Sequence, residues 1–390
     1  MGYEIYGLKD NCFPSDAILK PGSEDPRQNG LIFSVNARAK EIEEFEKKFM
    51  GKKTSFNDRY RCGFLWAEGG RTIGRGMGKT ALALYMQHRI NNGYGENYFD
   101  GKEKFFLSYV SFSQQIKSKV AFLYKAILGS FITEKLFEHV SNCVTRDKLI
   151  ENNVRGAFAE AIVNNQVKGY LESRSKYPLD VMTTAYDRKF LQELPYIFLS
   201  DTVKSLKVAG FKGGIILIDD IENLTDRSTG KEIETFIKDI GIAFLRDATS
   251  EAVKSNFYTI ILTTHEQSAQ KISQAWTVAG LSASFPLAAG GRASLLTRKP
   301  DMPECLDIIQ QYLKYYRDPS FTPPEEFYPF KREATETIIK ECDFHPRRFL
   351  SSFNRILIEA LSNNVKEITS DFVRTVPEVE EEESLGIEDL

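Results

Sequence analysis

The chain has 390 residues, 42% of them hydrophobic, and a formal net charge of −3 at neutral pH. This length allows a large α/β domain and a smaller one, and the near balance of charge excludes a bulk attraction to nucleic acid or to an anionic membrane. The five scattered cysteines form no Cys-x-x-Cys pair, which argues against a disulfide framework or a zinc site. Without a signal peptide pattern or a long apolar run, we expect a soluble cytoplasmic protein with no membrane partner.

The N-terminal residues predict two elements. Residues 1–33 are rich in Pro, Gly, Asp and Asn and predict an extended N-terminal arm. Ser34–Met50 follows as a charged amphipathic helix with its apolar residues on one side. We expect this helix to begin an α/β domain that extends over residues 34–296.

A glycine-rich segment then separates a predicted strand from a predicted helix. Phe64–Ala67 is apolar and predicts a buried strand, and Thr80–Asn92 predicts a helix. The segment between them contains GRGMGKT at Gly74–Thr80. Strand, glycine loop and helix in this order are the context of a phosphate-binding loop, usually written G-x-x-x-x-G-K-[ST]. Here Ile73 stands at the first position, and we expect the displaced Gly74 to supply the tight turn.

The residues of this loop have the chemistry that phosphates require. Glycines let successive backbone N–H groups converge on phosphate oxygens at the start of a helix. Lys79 supplies the charge that neutralises the terminal phosphates, and Thr80 a hydroxyl that ligates Mg²⁺. We expect a nucleotide to be bound by the whole loop, which consists of Gly74, Arg75, Gly76, Met77, Gly78, Lys79, Thr80 and Ala81.

Three further strands alternate with helices along the domain. They are predicted within Lys104–Phe112, Gly213–Leu224 and Phe257–His265, and the helices include one over Glu232–Asp247. This alternation predicts an α/β fold, with a parallel sheet sandwiched by helices; together with the glycine loop, it resembles the sheet of the P-loop NTPases. The sequence of residues 113–208 predicts mainly helices, so we expect a helical insertion over about 113–208.

A pair of carboxylates ends the strand that is predicted within Gly213–Leu224. Asp219 and Asp220 follow the apolar run Ile215–Ile218. We expect this strand to lie beside the strand of the phosphate loop, so that Asp219 and Thr80 hold Mg²⁺. Asp220 is the residue that we expect to orient the attacking water, although Glu222 can take that role if the strand ends early.

The last part of the chain has a different pattern. Three predicted helices follow one another without a strand, within Met302–Arg317, Lys331–Asp343 and His345–Asn364. They predict a small all-helical domain over residues 297–376. The remaining residues 377–390 are acidic, which predicts a disordered tail.

Taken together, these motifs resemble those of the AAA+ P-loop ATPases, nearest to the initiator and transposition-regulator (ORC-like) kind. GRGMGKT resembles the family's G-x-x-G-x-G-K-T loop, and IILIDDIENL resembles its Walker B strand. IILTTH resembles the strand that carries sensor 1, a polar residue near the γ-phosphate, and HPRRFL resembles sensor 2, which opens a lid helix. YGLKDNCF resembles the family's N-terminal Y-G-L-x-x-x-P-F entry, with Cys12 in place of proline.

The resemblance implies roles for further residues. Thr264 or His265 is implied to be sensor 1, and Arg347 to be the sensor 2 arginine that contacts the nucleotide. Members of the family assemble as rings or spirals in which an arginine completes the neighbouring site. Arg292 is the first candidate for that arginine, and Arg246 is the second.

The expected activity is the Mg²⁺-dependent hydrolysis of ATP to ADP and phosphate. The resemblance implies a homo-oligomeric switch that acts on DNA or on a partner effector protein, as a regulator of DNA transactions, of transposition or of phage defence. The alternative is a nucleotide-gated scaffold or signalling module with little or no hydrolysis. A GTPase is disfavoured because the sequence lacks the guanine-reading N-K-x-D, and a nucleotide kinase does not explain the helical domain.

Overall fold

A computed structural model of the chain divides it into two compact units. Arg38–Arg298 forms the first, which we call the nucleotide unit, and Met1–Ala37 together with Lys299–Leu390 forms the second, the helical unit. The structure describes residues 2–20, 22–51, 58–69, 74–99, 103–112, 120–175 and 188–377.

The nucleotide unit is built on a five-stranded sheet in which each pair of neighbouring strands is parallel. The strands are β1 (Cys62–Ala67), β2 (Lys104–Ser111), β3 (Phe211–Asp219), β4 (Tyr258–His265) and β5 (Ser294–Leu296). Their order across the sheet is β2-β3-β4-β1-β5. Because all run the same way, their carboxyl ends meet at one edge, which we call the carboxyl edge of the sheet.

The strands formed where the sequence has continuous apolar runs. All six residues of β1 and all eight of β4 are buried, and so is the apolar part of β3. Such strands need cover on both faces, and helices provide it. The prediction missed β5, because three residues after a glycine pair give no periodic signal.

Helices surround the sheet in the nucleotide unit. In the described residues they are α1 (Ala39–Phe45), α2 (Lys79–Arg89), α3 (Gly95–Tyr98), α4 (Val120–Thr133), α5 (Leu136–Cys143), α6 (Arg146–Glu151), α7 (Gly156–Val163), α8 (Val167–Ser175), α9 (Arg188–Tyr196), α10 (Thr202–Val208), α11 (Glu222–Arg227), α12 (Gly230–Gly241), α13 (Glu251–Lys254) and α14 (Glu266–Val278). Wider π-helical turns extend four of them, at Glu46–Met50, Ile90–Tyr94, Ile197–Asp201 and Ile242–Arg246. The regular elements between β2 and β3, α4 to α10, are all helical in the described residues.

The helical unit contains four helices in its described C-terminal residues. They are α15 (Met302–Tyr316), α16 (Arg332–Glu341), α17 (Pro346–Ser362) and α18 (Ser370–Thr375). The first three lie within the predicted ranges, and α18 was not predicted. The acidic tail was expected over 377–390, and residues 378–390 lie outside the described part of the chain.

The N-terminal residues are not a separate extended arm, and that prediction is wrong. A short 3-10 helix, Tyr3–Tyr6, begins the chain, and Leu8 pairs with Arg317 in an antiparallel bridge. Cys12 and Phe13 are buried in the same hydrophobic core as α15 and α17. The boundaries therefore fall at residues 37/38 and 298/299 rather than at 33/34 and 296/297.

The chain was also expected to have no membrane partner. Among the described residues, none of the helices combines the length and the apolar character that crossing a bilayer demands.

Close packing between β2 and β3 gives a stability prediction. A Cβ atom at Gly214 would lie 2.3 Å from the buried Phe106 ring, whereas one at Gly129 in α4 would meet nothing within 4 Å. We expect Gly214→Ala to lower the free energy of unfolding by about 1–3 kcal/mol, as overpacking does. Gly129→Ala, the matched control, is expected to raise it by about 0.5–1 kcal/mol, because alanine favours a helix interior. Urea unfolding followed by circular dichroism measures both; equal shifts would contradict the packing.

Candidate functional site

The glycine loop lies between β1 and α2, at the carboxyl edge. Gly76 and Gly78 have φ angles of +82° and +92°, in the left-handed region that favours glycine. A Cβ atom on Gly74 would lie 2.9 Å from the Cβ atom of His265, so glycine lets the loop approach the end of β4. Ile73 lies outside the described residues.

The lysine and the threonine of the loop begin α2. Lys79 is buried, and its Nζ donates a hydrogen bond of 2.7 Å to the carbonyl oxygen of Gly74. Thr80 Oγ1 donates to Asp219 Oδ2 at 2.7 Å. The structure thus brings the threonine and the carboxylate that the sequence predicted as Mg²⁺ ligands into direct contact.

Asp219 accepts four hydrogen bonds and is only 1% exposed. Besides Thr80, the donors are the Tyr109 hydroxyl at 2.5 Å, the Thr263 hydroxyl and the backbone N–H of Asp220 at 3.0 Å. Burial and the Asp219 charge hold the pKa of Tyr109 well above its usual range, so the phenol stays protonated and donates. The sequence analysis missed Tyr109 and Thr263, because each reads as an ordinary residue of a buried strand.

β1, which leads into the phosphate loop, and β3, which ends at Asp219, are not neighbouring strands. The prediction that they are adjacent is therefore wrong. β4 pairs with β1 on one side and with β3 on the other. Apolar runs in a sequence predict strands but not their order in the sheet. The sequence alone therefore did not show that β4 lies between β1 and β3. Asp219 still meets Thr80 because parallel strands end at a common edge.

Asp220 follows Asp219 in a strained backbone conformation, with φ at +57°. Its N–H donates to Asp219 Oδ1 and to Thr263 Oγ1, at 3.0 and 3.1 Å. Burial, together with the charges of Asp219 and Glu222, raises the pKa of Asp220 to about 7, while Arg75 and Lys79 oppose the shift. Its ionised form is therefore less favoured than that of an exposed aspartate.

Glu222 is the first residue of α11 and is only 2% exposed. Its Oε2 atom is buried, and no described residue gives it a hydrogen bond. Burial raises the pKa of Glu222, while the nearby charge of Lys79 lowers it. This buried oxygen makes Glu222 a stronger candidate for contact with a ligand or water than its place in the sequence suggested.

The two sensor 1 candidates differ in environment. Thr264 donates to the carbonyl oxygen of His265, and it alternates along the strand with Thr263, so its side chain faces away from Asp219. His265 lies on the Thr263 face and caps α14, where its Nδ1 accepts from the backbone N–H of Ser268 at 3.4 Å. In this structure Thr263, rather than Thr264, is the β4 hydroxyl that contacts Asp219.

The three arginine candidates occupy separate places along the chain. Arg292 and Arg246 are exposed, and Arg246 donates to the carbonyl oxygen of Gly280. Arg347 belongs to the helical unit, in the first turn of α17, whose first residue is Pro346. The roles of these three arginines remain predictions.

Comparison with known proteins shows the fold. No protein-family model and no curated protein matches the chain. The ADP form of the ORC2 protein of Aeropyrum pernix matches 95% of this chain and 72% of its own length, at 12% identity and a TM-score of 0.50. The chain thus shares the fold of the A. pernix ORC2 protein, with a parallel sheet flanked by helices and a helical C-terminal region, and the predicted fold class is confirmed.

Two further solved structures are similar. ADPNP–ADP complexes of the A. pernix ORC2 protein match 95% of this chain and 71% of their own, at 14% identity and a TM-score of 0.48. A Walker-type ATPase of Pyrococcus abyssi matches 84% of this chain and 68% of its own, at 12% identity and a TM-score of 0.36.

The contact between Tyr109 and Asp219 leads to a prediction about magnesium. Tyr109→Phe removes one of the four donors that fix Asp219, so we expect the gain in ADP affinity on adding Mg²⁺ to fall by about tenfold. Binding of ADP without the metal should not change. Isothermal titration with and without Mg²⁺ measures both quantities.

Tyr258→Phe is the matched control for this variant. Tyr258, the first residue of β4, is also a buried tyrosine of the sheet, but its hydroxyl donates to the carbonyl oxygen of Phe198. It should leave the magnesium dependence unchanged. An equal magnesium dependence in the two variants would show that the Tyr109 hydroxyl has no part in holding the carboxylate.

Proposed function

We propose that the protein is a Mg²⁺-dependent ATPase. The observation that carries the proposal is the meeting of Lys79, Thr80 and Asp219 at the carboxyl edge of the sheet, with Thr80 bonded to Asp219 at 2.7 Å. A parallel sheet binds its ligands at this edge. A structural glycine turn would need neither a buried lysine nor a buried carboxylate beside it.

The loop supports phosphate binding by charge and by backbone geometry. Positive φ angles at Gly76 and Gly78 turn successive peptide groups as an anion-binding loop requires, and α2 offers its N-terminus. Lys79 bonds to a carbonyl oxygen of the same loop, at Gly74. In the complex we expect its ammonium group to exchange that partner for phosphate oxygens.

The residues at the edge also fit a magnesium ion. Thr80 and Asp219 offer a hydroxyl and a carboxylate, the hard oxygen donors that Mg²⁺ prefers. Glu222 adds a buried carboxylate oxygen to which no described residue gives a hydrogen bond. Bound there, Mg²⁺ would neutralise charge on the phosphates.

Hydrolysis additionally requires a residue that orients water and accepts its proton. The charge of Lys79 lowers the pKa of both candidates, Asp220 and Glu222, which indicates that the two carboxyl groups lie near the loop. We retain Asp220 as the first candidate and Glu222 as the second. The products would be ADP and phosphate, with the oxygen of water joined to the γ-phosphorus.

The choice of an adenine nucleotide rests on the fold. The similar ORC2 protein was solved in an ADP form, so this fold accommodates that nucleotide in another protein. We extend the proposal to an oligomeric switch that acts on DNA or on a partner protein, in a DNA transaction, in transposition or in phage defence. The exposed Arg292 and Arg246 are available to complete a neighbouring site.

One observation favours the alternative of a nucleotide-gated scaffold. Asp220 has a positive φ and a pKa of about 7, raised by burial and neighbouring carboxylates, so only part of the population has the ionised carboxylate that can accept a proton from water at neutral pH. Such a protein would bind ATP and barely hydrolyse it.

Removal of the loop lysine tests nucleotide binding. We expect Lys79→Ala to abolish the heat of Mg-ATP binding in isothermal titration, because the terminal phosphates lose their main positive partner. Lys231→Ala, at an exposed position of α12, is the control and should bind as the wild type does. Absence of binding heat in the wild type itself would contradict the proposed function.

Single-turnover hydrolysis distinguishes the two carboxylates and the scaffold. If Asp220 orients the water, Asp220→Asn should slow phosphate release by about 100-fold or more, as the loss of a general base does. Glu222→Gln should then have a much smaller effect, and the reverse result would assign the role to Glu222. A wild type that binds Mg-ATP but releases no phosphate would support the scaffold.

A further inference from the structure

A buried arginine contacts the phosphate loop from the side of α1. Arg38 is only 4% exposed and directly precedes α1. Its Nη2 donates to the carbonyl oxygen of Met77 at 2.9 Å. Its Nη1 donates to Glu41 Oε1 at 3.0 Å and to the carbonyl oxygen of Arg298 at 2.7 Å. None of the sequence motifs includes this residue.

We propose that Arg38 is a positioning residue for phosphate binding, and the proposal rests on the function proposed above. In a trans peptide the carbonyl oxygen and the next N–H point in opposite directions. By holding the Met77 oxygen, Arg38 therefore turns the N–H of Gly78 away from itself. It also polarises that peptide group, which makes the N–H a better donor to an anion.

The glycine at position 78 fits this arrangement. A Cβ atom there would lie 3.2 Å from Arg38 Nη2, and the φ angle of +92° also disfavours any other residue. Gly78 is the residue before Lys79, where α2 begins. Arg38 thus contacts the loop at the Met77–Gly78 peptide group, directly before the N-terminus of α2.

The remaining contacts hold the guanidinium in place. Glu41 is buried and lies 3.0 Å from Arg38 Nη1 and 3.8 Å from Arg298 Nε. A planar guanidinium can donate to several acceptors at fixed angles, whereas a lysine ammonium has no such fork. The geometry therefore depends on arginine and not only on a positive charge.

Arg59 offers a matched control within the same unit. It is buried to a similar degree, and its guanidinium donates to the Thr259 hydroxyl at 2.9 Å and to the carbonyl oxygens of Asn256 and Phe257. These acceptors lie at the start of β4, at the sheet edge opposite to the phosphate loop. Arg59→Gln removes a comparable buried arginine whose named acceptors lie away from the loop.

The experiment measures the Kd of Mg-ATP and of Mg²⁺-free ADP for the wild type, Arg38→Gln, Arg38→Lys and Arg59→Gln, together with urea unfolding of each. We expect Arg38→Gln to weaken both nucleotides by about tenfold or more, the value of one charged hydrogen bond. Arg38→Lys should recover part of this loss. Arg59→Gln should lower stability yet bind nucleotide as the wild type does.

Hydrogen exchange adds a readout of the loop itself. Amides of residues 76–80 should exchange faster in Arg38→Gln than in the wild type without nucleotide, and Arg59→Gln should leave them unchanged. Equal exchange in Arg38→Gln and the wild type would argue against positioning.

The outcomes separate this inference from the proposed function. If the wild type binds no nucleotide, the proposed function fails. If the wild type binds and Arg38→Gln binds within twofold of it, the proposal for Arg38 is overturned. Should Arg38→Gln fail to fold, Arg38→Lys decides by the same twofold criterion.

Discussion

Three hydroxyl groups converge on Asp219, and the arrangement of the candidate site depends on this convergence. They come from the start of α2, from β2 and from β4, so the buried carboxylate joins three elements that are distant in sequence. A buried carboxylate is costly unless hydrogen bonds satisfy it. The same bonds that offset this cost also fix where the carboxylate can meet a ligand, and the end of β3 is thereby held against the phosphate loop.

The neighbouring Glu222 is not satisfied in this way. One of its carboxylate oxygens is buried, and no described residue gives that oxygen a hydrogen bond, while the charge of Lys79 lowers the pKa of the group. Fold stability alone does not explain a buried oxygen that is left unsatisfied. A bound cation would give this oxygen a partner, so the arrangement suits a site that is completed by its ligand.

Local patterns in the sequence were enough to predict much of this architecture. The runs at β1, β3 and β4 are continuous and apolar. The glycines, the lysine and the threonine of the loop have the spacing that is typical of phosphate-binding loops. Contacts between distant residues were not accessible in that way. The position of β4 between β1 and β3, the hydroxyls of Tyr109 and Thr263, and the packing of Cys12 and Phe13 beside α15 all result from tertiary structure. A single sequence shows which residues have useful chemistry, but not which strand order brings them together.

Arg38 also ties the loop to the limits of its own unit. Arg38 and Arg298 are the first and last residues of the nucleotide unit, and Ala37 and Lys299, which belong to the helical unit, are their direct neighbours in the chain. One guanidinium contacts both the loop at Met77 and the carbonyl oxygen of Arg298. The guanidinium therefore links the position of the loop to both points at which the chain leaves the unit.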